Sequence, residues 1–567
     1  MRWTLKEEPQ KNITALLEEK LAVPHSIARL LVLRGIADFE TAKTFFRPNI
    51  DMLHDPFLME DMDKAVIRLE KALENGEQIL IYGDYDVDGT TAVSLVYSYL
   101  ASFYENVHYY IPDRYDEGYG VSFKSIDFAE DNGFSLIIAL DCGIKAIDKV
   151  AYANEKEIDY IICDHHRPGK EIPNAVAVLD QKREDCDYPY KELSGCGIGF
   201  KFMQAFHQKK GGDIIDLVPL LDLVATSIGA DIVPITGENR VLATLGLAVI
   251  NSQPRIGIQA LMHQVKKDYF TITDVVFVIA PRINAAGRIK HGKFAVELLI
   301  ENDLDKALEF AKEIETNNAD RKDLDKQITA EALVQIAENQ EEDNASTVVY
   351  QENWHKGVIG IVASRLIETH YKPTVVFTKN NDKLAASVRS VSGFDVYDAL
   401  SACKEHIEQF GGHKYAAGLT LKPEKYIDFK QAFEQTVKDT LPEKLRTREQ
   451  RIDTVITLAE ITPKLWRIIK QFAPFGPGNM KPVFVAYNLQ DTGYGKTVGD
   501  DKTHLKIKVT DTTIGYGIDA IGFNLGNKID LIKNKQFFDA VFQIDENTWQ
   551  GKTSLQLKLI DIKPSEN

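Results

Sequence analysis

Residues 79–91 read Ile79-Leu80-Ile81-Tyr82-Gly83-Asp84-Tyr85-Asp86-Val87-Asp88-Gly89-Thr90-Thr91, an apolar run followed at once by three carboxylates. A short apolar run of this kind predicts a strand that is buried on both faces, as in a parallel sheet. In an open α/β sheet, ligands gather outside the carboxyl ends of the strands. Three carboxylates so close together repel one another at low dielectric, so a buried cluster needs cations or protons. The stretch therefore predicts an α/β fold with a cation-dependent site at a strand end.

The same pattern continues to about Ile250, where short apolar runs alternate with amphipathic stretches. Such alternation predicts parallel strands connected by helices. The further runs are His108-Tyr109-Tyr110-Ile111, Leu136-Ile137-Ile138-Ala139-Leu140, Tyr160-Ile161-Ile162-Cys163 and Ala175-Val176-Ala177-Val178-Leu179. Three of the five runs end in an aspartate-bearing motif. Asp84-Tyr85-Asp86 follows the first run, Asp141-Cys142-Gly143 follows the run that ends at Leu140, and Asp164-His165-His166 follows the run that ends at Cys163.

An EF-hand is the main structural alternative for the first motif, since Asp-x-Asp-x-Asp-Gly also opens that calcium loop. The twelfth position of an EF-hand loop should be a bidentate Glu, but here it is Leu95. The segment before Asp84 predicts a strand, whereas an EF-hand requires a helix. The EF-hand is therefore disfavoured.

The remaining candidate ligands are individually less specific. Asp141 alone could equally be a turn residue or a helix cap. His165 and His166 offer imidazole nitrogens that bind metal or transfer protons. Asp231 is a lone carboxylate in an apolar segment, and metal ligation would offset the free-energy cost of burying its charge. A set of carboxylates with one imidazole suits two ions of Mn²⁺ or Mg²⁺ better than Zn²⁺.

The rest of the chain predicts four further regions. Residues 301–343 carry fourteen acidic and five basic residues without Pro or Gly, and their apolar spacing predicts one long helix with a solvated charged face. A second α/β unit follows, and beyond Arg451 alternating strands such as Leu505–Val509 predict a small β-barrel. We expect these segments: 1–45, N-terminal helical; 46–300, catalytic domain; 301–343, connecting helix; 344–445, smaller α/β domain; 446–567, barrel domain. Phe472-Ala473-Pro474-Phe475-Gly476-Pro477-Gly478-Asn479 looks like a rigid connector without chemistry of its own.

Composition narrows the class of protein. The net charge of -17 is unfavourable for binding nucleic acid, but about half of the excess lies in the acidic helix and part of the rest in the candidate ligands. The five cysteines show no C-x-x-C spacing, which predicts free thiols. The chain shows no signal peptide and no membrane-spanning run, so we expect a cytoplasmic protein.

The order of these motifs resembles the four motifs of the DHH phosphoesterase superfamily. They are Asp84-Tyr85-Asp86-Val87-Asp88-Gly89, Asp141-Cys142-Gly143, Asp164-His165-His166 and Ala230-Asp231. Gly411-Gly412-His413-Lys414 is similar to the signature of the DHH-associated domain. As a whole, the chain resembles the bacterial single-strand-specific 5'-to-3' DNA exonucleases of this superfamily, whose C-terminal barrel is an OB-fold.

The resemblance implies a fold, a cofactor and a ligand set. The fold is α/β: a parallel-sheet DHH domain, a long helix, a smaller α/β DHH-associated domain and an OB-like barrel. The implied metal ligands are Asp84, Asp86, Asp88, Asp141, His165 and Asp231, and the implied catalytic residues are His166, Asp141 and Asp164. Other members carry a His where this chain has Tyr82, so we expect Asp84 to take its place.

A further set of residues is expected to contact phosphate or DNA. The resemblance assigns the 5'-phosphate and backbone to the segments with Arg282, Asn284, Arg288, Ser387 and Arg389, and it adds Gly412 and His413. Tyr119 would stack on a base beside Arg114, although a Tyr in a loop more often packs on its neighbours. In the barrel, Tyr494 and Lys506 suit a single-strand platform, or equally the solvent face of an ordinary sheet. Each Arg taken alone is more often an ordinary surface residue.

The leading hypothesis is an exonuclease that releases 5'-mononucleotides from single-stranded DNA by two-metal hydrolysis, in recombination and repair. A DHH-type hydrolase of short oligonucleotides, cyclic dinucleotides or pyrophosphate is the alternative, and a non-catalytic DNA-binding scaffold is a third possibility. The resemblance also implies a monomer without membrane contact, and as partners single-stranded DNA, single-strand-binding protein and a RecQ-type helicase.

Overall fold

The structure is a computed structural model that describes residues 1–7, 9–114, 116–118, 120–289 and 291–565, without the side chains of residues 286–289, 534, 535 and 549. The chain divides into two compact units. One comprises Met1–Thr4 and Thr316–Arg451, and the other comprises Leu5–Glu315 and Ile452–Asn567. The division falls inside the long helix Leu304–Glu338, which contains most of the acidic segment.

The larger unit is organised around a five-stranded parallel sheet. In spatial order its strands are Val107–Tyr110, Gln78–Gly83, Phe134–Leu140, Asp159–Cys163 and Ala177–Leu179. Gln78–Gly83 is the first of these five strands along the chain but lies second in the sheet. The strand order therefore reverses between Gln78–Gly83 and Phe134–Leu140. This is a topological switch point, the place where open α/β sheets bind ligands.

Helices cover this sheet because its strands are apolar on both faces. Three of them lie largely in the core: Val87–Ala101, Gly195–Lys209 and Leu221–Ala230. The others are Met62–Glu74, Phe123–Asp131, Ile147–Glu155, Gly237–Ser252, Ile256–His263, Ile272–Asp274, the π-helix Val275–Ile279, Ala280–Ile289 and Lys293–Ile300.

The N-terminal segment 1–45 is not wholly helical, contrary to the expectation from sequence. Its helices are Lys11–Leu21, His25–Val32 and Phe39–Phe46, but Arg2–Leu5 forms a strand that pairs with Glu449–Ile452. Four residues are too few to show a period in the sequence, and their strand forms only because a distant segment offers it a free edge.

The smaller unit contains a second five-stranded sheet. Its strands, in spatial order, are Gln409–His413, Ala416–Leu421, Lys383–Arg389, Thr374–Asn380 and Thr347–Tyr350. Only the last pair is parallel. Its helices are Ile359–Thr369, Val396–Ala402 and Tyr426–Thr440.

The C-terminal strands form a closed barrel. The strands Phe484–Asp491, Phe538–Trp549, Lys552–Pro564, Ile518–Gly522 and His504–Thr510 pair in that order, and the last pairs again with the first. Thr454–Val455 and Lys496–Val498 are added at the sides, and the helix Pro463–Lys470 precedes the barrel. A five-stranded closed barrel of this kind is an OB-type fold.

Among the residues that the structure describes, no helix has the length and the apolar character needed to cross a membrane. All five cysteines are buried free thiols.

Candidate metal centre and active site

A row of aspartates at one edge of the parallel sheet follows from strand register. Gly83 pairs with Leu140, Leu140 with Cys163, and Cys163 with Leu179. The residue after each paired position is an aspartate: Asp84, Asp141, Asp164 and Asp180. Four carboxylates from four strands therefore lie side by side at the carboxyl edge of the sheet.

Asp84 ends the first strand and is fully buried. Neither of its carboxylate oxygens has a hydrogen-bond partner among the described residues. Asp86 caps the following helix and accepts a hydrogen bond from the backbone N–H of Gly89 across 3.0 Å. Gly89 must be a glycine, since a Cβ atom there would lie 2.4 Å from the carbonyl oxygen of Asp84.

Asp141 lies at the centre of the row with a left-handed backbone, at φ 59°. Within the described chain, neither of its carboxylate oxygens accepts a hydrogen bond, although the side chain is buried. The first turn of the helix Gly195–Lys209 lies directly against it, and a Cβ atom on Gly195 would be 2.6 Å from Asp141 Cβ. The close approach explains the glycine at that helix start.

Asp88 is held by the same helix start. Its Oδ2 accepts from the N–H of Gly195 at 2.7 Å, and its Oδ1 accepts from the N–H of Cys196 at 2.8 Å. The hydroxyl of Ser227 also donates to Oδ1, at 2.6 Å, and lies 2.6 Å from Ser194 Oγ. The dipole of a helix N-terminus favours a negative charge in this position.

His165 joins the carboxylates from the end of the strand Asp159–Cys163. Its Nε2 lies 3.2 Å from Asp141 Oδ1, 3.6 Å from Asp231 Oδ2 and 3.7 Å from Asp88 Oδ2. Burial lowers the pKa of His165, which favours the neutral imidazole that binds metal.

Asp164 differs from Asp84 and Asp141 because both of its carboxylate oxygens accept hydrogen bonds. It accepts from the backbone N–H groups of Ile144, His165 and His166 and from Nδ1 of His166, the last at 2.7 Å. Burial alone would raise the pKa of Asp164, but the hydrogen bond and charge of His166 lower it to about 2. Asp164 therefore orients His166, whose own pKa is raised by Asp164 against the opposing effect of burial.

For four of the candidate ligands, burial shifts the pKa upward. Burial, with a contribution from the neighbouring carboxylates, raises the pKa of Asp84 and of Asp141 well above the usual range and that of Asp231 to about 8. Burial likewise raises the pKa of Asp86. A divalent cation offsets the same repulsion without protons.

The donor set fits divalent cations. Asp141, His165 and His166 form one group whose ligand atoms lie within 4.8 Å of one another, and Asp88, His165 and Asp231 form another. The unpartnered oxygens of Asp84 and Asp141 supply further free donors at the same edge. A ligand set that consists mostly of hard oxygen atoms, with one imidazole nitrogen, suits Mn²⁺ or Mg²⁺.

Sequence reasoning missed three contributors. Asp180 is fully buried with Oδ2 unpartnered among the described residues, and burial raises its pKa to about 7. Its signal was available, since the run Val176–Leu179 also ends in an aspartate. The hydroxyls of Ser194 and Ser227 gave no comparable signal, because single serines are common at helix starts and in helix interiors.

The residues expected to contact DNA fall in three places. Near the metal centre, the Arg114 guanidinium lies over the Tyr85 ring, 4.8 Å from its centroid, while Tyr119 is outside the described residues. Arg282 is buried and paired with Glu315 at 2.5 Å, and Asn284 is partly buried on the same helix. The side chain of Arg288 is outside the description.

In the smaller unit, Arg389 donates to Ser387 Oγ at 3.1 Å, and burial lowers the Arg389 pKa. Gly412 and His413 are exposed at the end of an edge strand. In the barrel, Tyr494 is 74% exposed and Lys506 is exposed on its strand.

Comparison with known proteins agrees with this architecture. Residues 78–228 match the DHH family, N-terminal domain, residues 343–439 match the DHHA1 domain, and residues 452–561 match the RecJ OB domain. The chain is 36% identical over 572 residues to the single-stranded-DNA-specific exonuclease RecJ of Bacillus subtilis, covering 100% of this chain and 71% of that protein. The chain belongs to the RecJ family.

Other RecJ proteins are similar over most of their length. RecJ of Haemophilus influenzae is 33% identical over 534 residues, covering 90% of this chain and 92% of that protein. The crystal structure of RecJ from Thermus thermophilus in complex with Mn²⁺ superposes with a TM-score of 0.84 at 26% identity, covering 100% of this chain and 80% of that one. A second crystal structure, of exonuclease RecJ bound to manganese, gives a TM-score of 0.61 at 30% identity, covering 70% of this chain and 98% of that one. The family resemblance and the fold class are confirmed.

Proposed function

We propose that this chain is a metal-dependent exonuclease that degrades single-stranded DNA from the 5' end and releases 5'-mononucleotides. The observation that carries the proposal is the row of aspartates with unpartnered buried oxygens at Asp84 and Asp141, in a chain of the RecJ family. Its relatives in Bacillus subtilis and Haemophilus influenzae are single-stranded-DNA-specific exonucleases.

The cofactor is Mn²⁺ or Mg²⁺, with two ions per site. Six residues would hold them: Asp84, Asp86, Asp88, Asp141, His165 and Asp231. The contacts of His165 Nε2 with three of these carboxylates, at 3.2–3.7 Å, support the set. When bound, two such ions lower the pKa of an attacking water and stabilise charge on the leaving oxygen.

His166 acts on the phosphate from beside the metal site. Its Nδ1–H donates to Asp164, so Nε2 carries a proton only in the imidazolium form, which the raised His166 pKa favours. The imidazolium would donate a hydrogen bond to a non-bridging phosphoryl oxygen, where charge accumulates in the transition state. Asp164 fixes the orientation of the ring, and Asp141 is the central ligand.

Cationic and aromatic groups elsewhere would hold the strand. Arg389 with Ser387, the Gly412-His413 strand end and the 282–288 helix would bind the 5'-phosphate and the backbone, which fixes the polarity. Because Arg282 is paired with Glu315, its guanidinium is available to phosphate only in part. Arg114 and Tyr119 would contact the nucleotides near the metals, and Tyr494 and Lys506 the single strand on the barrel.

The cellular setting follows from this activity. We propose a cytoplasmic monomer that acts in DNA recombination and repair, where helicases expose single strands. As partners we propose single-strand-binding protein and a RecQ-type helicase, which the family resemblance implies.

One digestion tests the proposal. A single-stranded oligonucleotide labelled at its 3' end is incubated with Mn²⁺, in versions with and without a 5'-phosphate, beside a matching duplex. We expect shortening from the 5' end that is faster with the phosphate and absent on the duplex. An Asp86→Ala variant with full nuclease activity, or turnover of only dinucleotides or pyrophosphate, would contradict it.

A further inference from the structure

The segment Phe472–Asn479, here called the connector, joins the helix Pro463–Lys470 to the first barrel strand. The metal site described above does not use it. Its shape is fixed from within by Asn479, whose buried side-chain amide donates to the carbonyls of Phe472 at 2.7 Å and Pro474 at 2.8 Å.

Two arginines hold the connector from outside. Arg240 donates to the carbonyls of Gln471, Phe472 and Ala473 at 2.8–3.2 Å. Arg34 donates to Asn479 Oδ1 at 2.8 Å and to the Met480 carbonyl at 2.7 Å. Neither guanidinium has an ion pair within the described part of the chain, and each also donates to one carbonyl elsewhere, Arg34 to Leu30 and Arg240 to Phe45.

The connector lies directly against the loop that follows Asp231. Its Pro477 carbonyl accepts a hydrogen bond from the N–H of Ile235 at 2.7 Å. Added Cβ atoms show how close the two segments are: on Gly476 the atom would lie 2.5 Å from Ile235 Cγ1, and on Gly478 it would lie 2.7 Å from Thr236 Cγ2.

The opposite side of this loop is fixed by the catalytic domain. The Pro234 carbonyl accepts from Tyr190 Oη at 3.2 Å and from Asn239 Nδ2 at 3.0 Å. The loop is therefore held between the connector and the residues around Tyr190, which leaves its backbone little freedom.

The position of Asp231 depends on that backbone. Asp84 and Asp141 also lack side-chain hydrogen bonds among the described residues, but each follows directly after a paired strand of the sheet, whereas Asp231 lies between a helix end and this loop. Asp88 accepts three hydrogen bonds and Asp164 accepts four, whereas no described residue donates a hydrogen bond to the Asp231 carboxylate. Ile232, the next residue, has a left-handed backbone at φ 59° and is 62% exposed, so it provides no packing that would fix Asp231.

We infer that the connector positions Asp231 for metal binding, so that the barrel domain supports the metal centre through Pro477, Gly476 and Gly478. The inference rests on the proposed function, in which Asp231 is a metal ligand. The connector residues are not among the proposed metal ligands or DNA contacts, so we assign them as positioning residues.

A pair of glycine variants tests this coupling. Gly478 has φ 75°, and Gly551, in a barrel hairpin, has φ 77° with nothing within 4 Å of an added Cβ. Gly478→Ala and Gly551→Ala therefore impose similar backbone strain, but only the first displaces Thr236. Mn²⁺ binding to the full chain without DNA, followed by electron paramagnetic resonance, is expected to weaken about tenfold in Gly478→Ala, the effect typical of lost ligand support, and to stay unchanged in Gly551→Ala.

Two further variants make the outcome specific. Thr236→Ser removes the Cγ2 atom that an alanine at 478 would strike and keeps the hydroxyl, so it is expected to restore Mn²⁺ binding in the double variant. Equal Mn²⁺ binding by Gly478→Ala, Gly551→Ala and the unchanged protein would overturn the coupling, and so would weak binding that Thr236→Ser fails to restore. Asp231→Asn distinguishes failure of the coupling from failure of the ligand assignment. Unchanged Mn²⁺ binding in this variant would refute the assignment of Asp231 as a metal ligand.

Discussion

The hydroxyl of Ser227 donates a hydrogen bond of 2.6 Å to Asp88 Oδ1, which links the helix Leu221–Ala230 to the start of the helix Val87–Ala101. Both residues are buried, and Asp88 is a candidate metal ligand. With the N–H of Cys196, Ser227 occupies both lone pairs of Oδ1, so Oδ2, which accepts from the N–H of Gly195, keeps a lone pair for a cation.

Ser227→Ala should therefore weaken metal binding without unfolding the protein. Loss of a residue that supports a ligand typically costs about 10–100-fold in metal affinity or activity. The Mn²⁺ concentration for half-maximal nuclease activity is the quantity to measure. Ser94→Ala is the matched control, since Ser94 is equally buried but bonds only to the carbonyl of Thr90. Equal Mn²⁺ requirements in the two variants would show that Ser227 does not support the site.

Asp141→Asn should nearly abolish catalysis while stabilising the metal-free protein. Losing a central ligand removes several kcal/mol of transition-state stabilisation, about 10³-fold in kcat. The amide carries no charge, so the metal-free cluster no longer needs a proton at this position to avoid repulsion, and the melting temperature in EDTA should rise. Asp148→Asn, on an exposed helix, should change neither quantity. A lower melting temperature in EDTA for Asp141→Asn would contradict the charge repulsion that we infer.

The metal-free protein should lose stability as the pH rises. The pKa of Asp231 is raised to about 8 and those of Asp84 and Asp141 are raised well above their usual range, whereas an unfolded Asp titrates near 3.9. The folded state therefore binds more protons than the unfolded state between about pH 4 and pH 8, and stability falls across that window.

Thermal unfolding at pH 5 and pH 8 measures this effect, with EDTA or with Mn²⁺. In EDTA the melting temperature should fall as the pH rises, and Mn²⁺ should reduce or reverse the fall because deprotonated ligands bind metal more tightly. A melting temperature that rises with pH in EDTA would exclude the raised pKa values. Asp164 has the opposite effect at lower pH. Because its pKa is lowered to about 2, the stabilisation that its carboxylate provides is lost only as the pH falls below this window.

Lys201→Met should destabilise the fold and leave the chemistry intact. Lys201 and Glu238 form a fully buried ion pair at 3.2 Å, and Lys201 also donates to the His54 carbonyl. Removing one partner of such a pair costs about 3–5 kcal/mol, since the other charge stays buried. Urea denaturation measures the loss in the free energy of unfolding. The double variant that combines Lys201→Met with Glu238→Gln should recover part of that loss. A matching loss of kcat in folded Lys201→Met would instead assign the pair to the active site.

The candidate site could be predicted from the sequence where an acidic or histidine motif directly follows an apolar run. An apolar run that ends in Asp141 or in Asp164-His165-His166 indicates both a strand and a candidate ligand, because parallel strands end at a common edge. The register that aligns Asp84, Asp141 and Asp164 depends on strand pairing, which a single sequence does not contain.

Other parts depend on distant contacts and could not be foreseen. The pairing of Arg282 with Glu315 and the docking of Gly195 on Asp141 join segments that no local period connects. In the sequence, the Pro and Gly residues of the connector indicate only a turn without chemistry of its own. Its partners are the backbone of the 231–237 loop and two arginines far away in the sequence.

The candidate ligands extend from Asp84 to Asp231 and come from four separate segments of the chain: Asp84 to Asp88, Asp141, His165 and Asp231. At translation rates of about 5–20 residues per second, on the order of ten seconds separates the synthesis of the first ligand from that of the last. Early fragments of the nascent chain therefore hold only part of the site. Hydrolytic activity would begin only once the sheet and the segment that carries Asp231 have assembled.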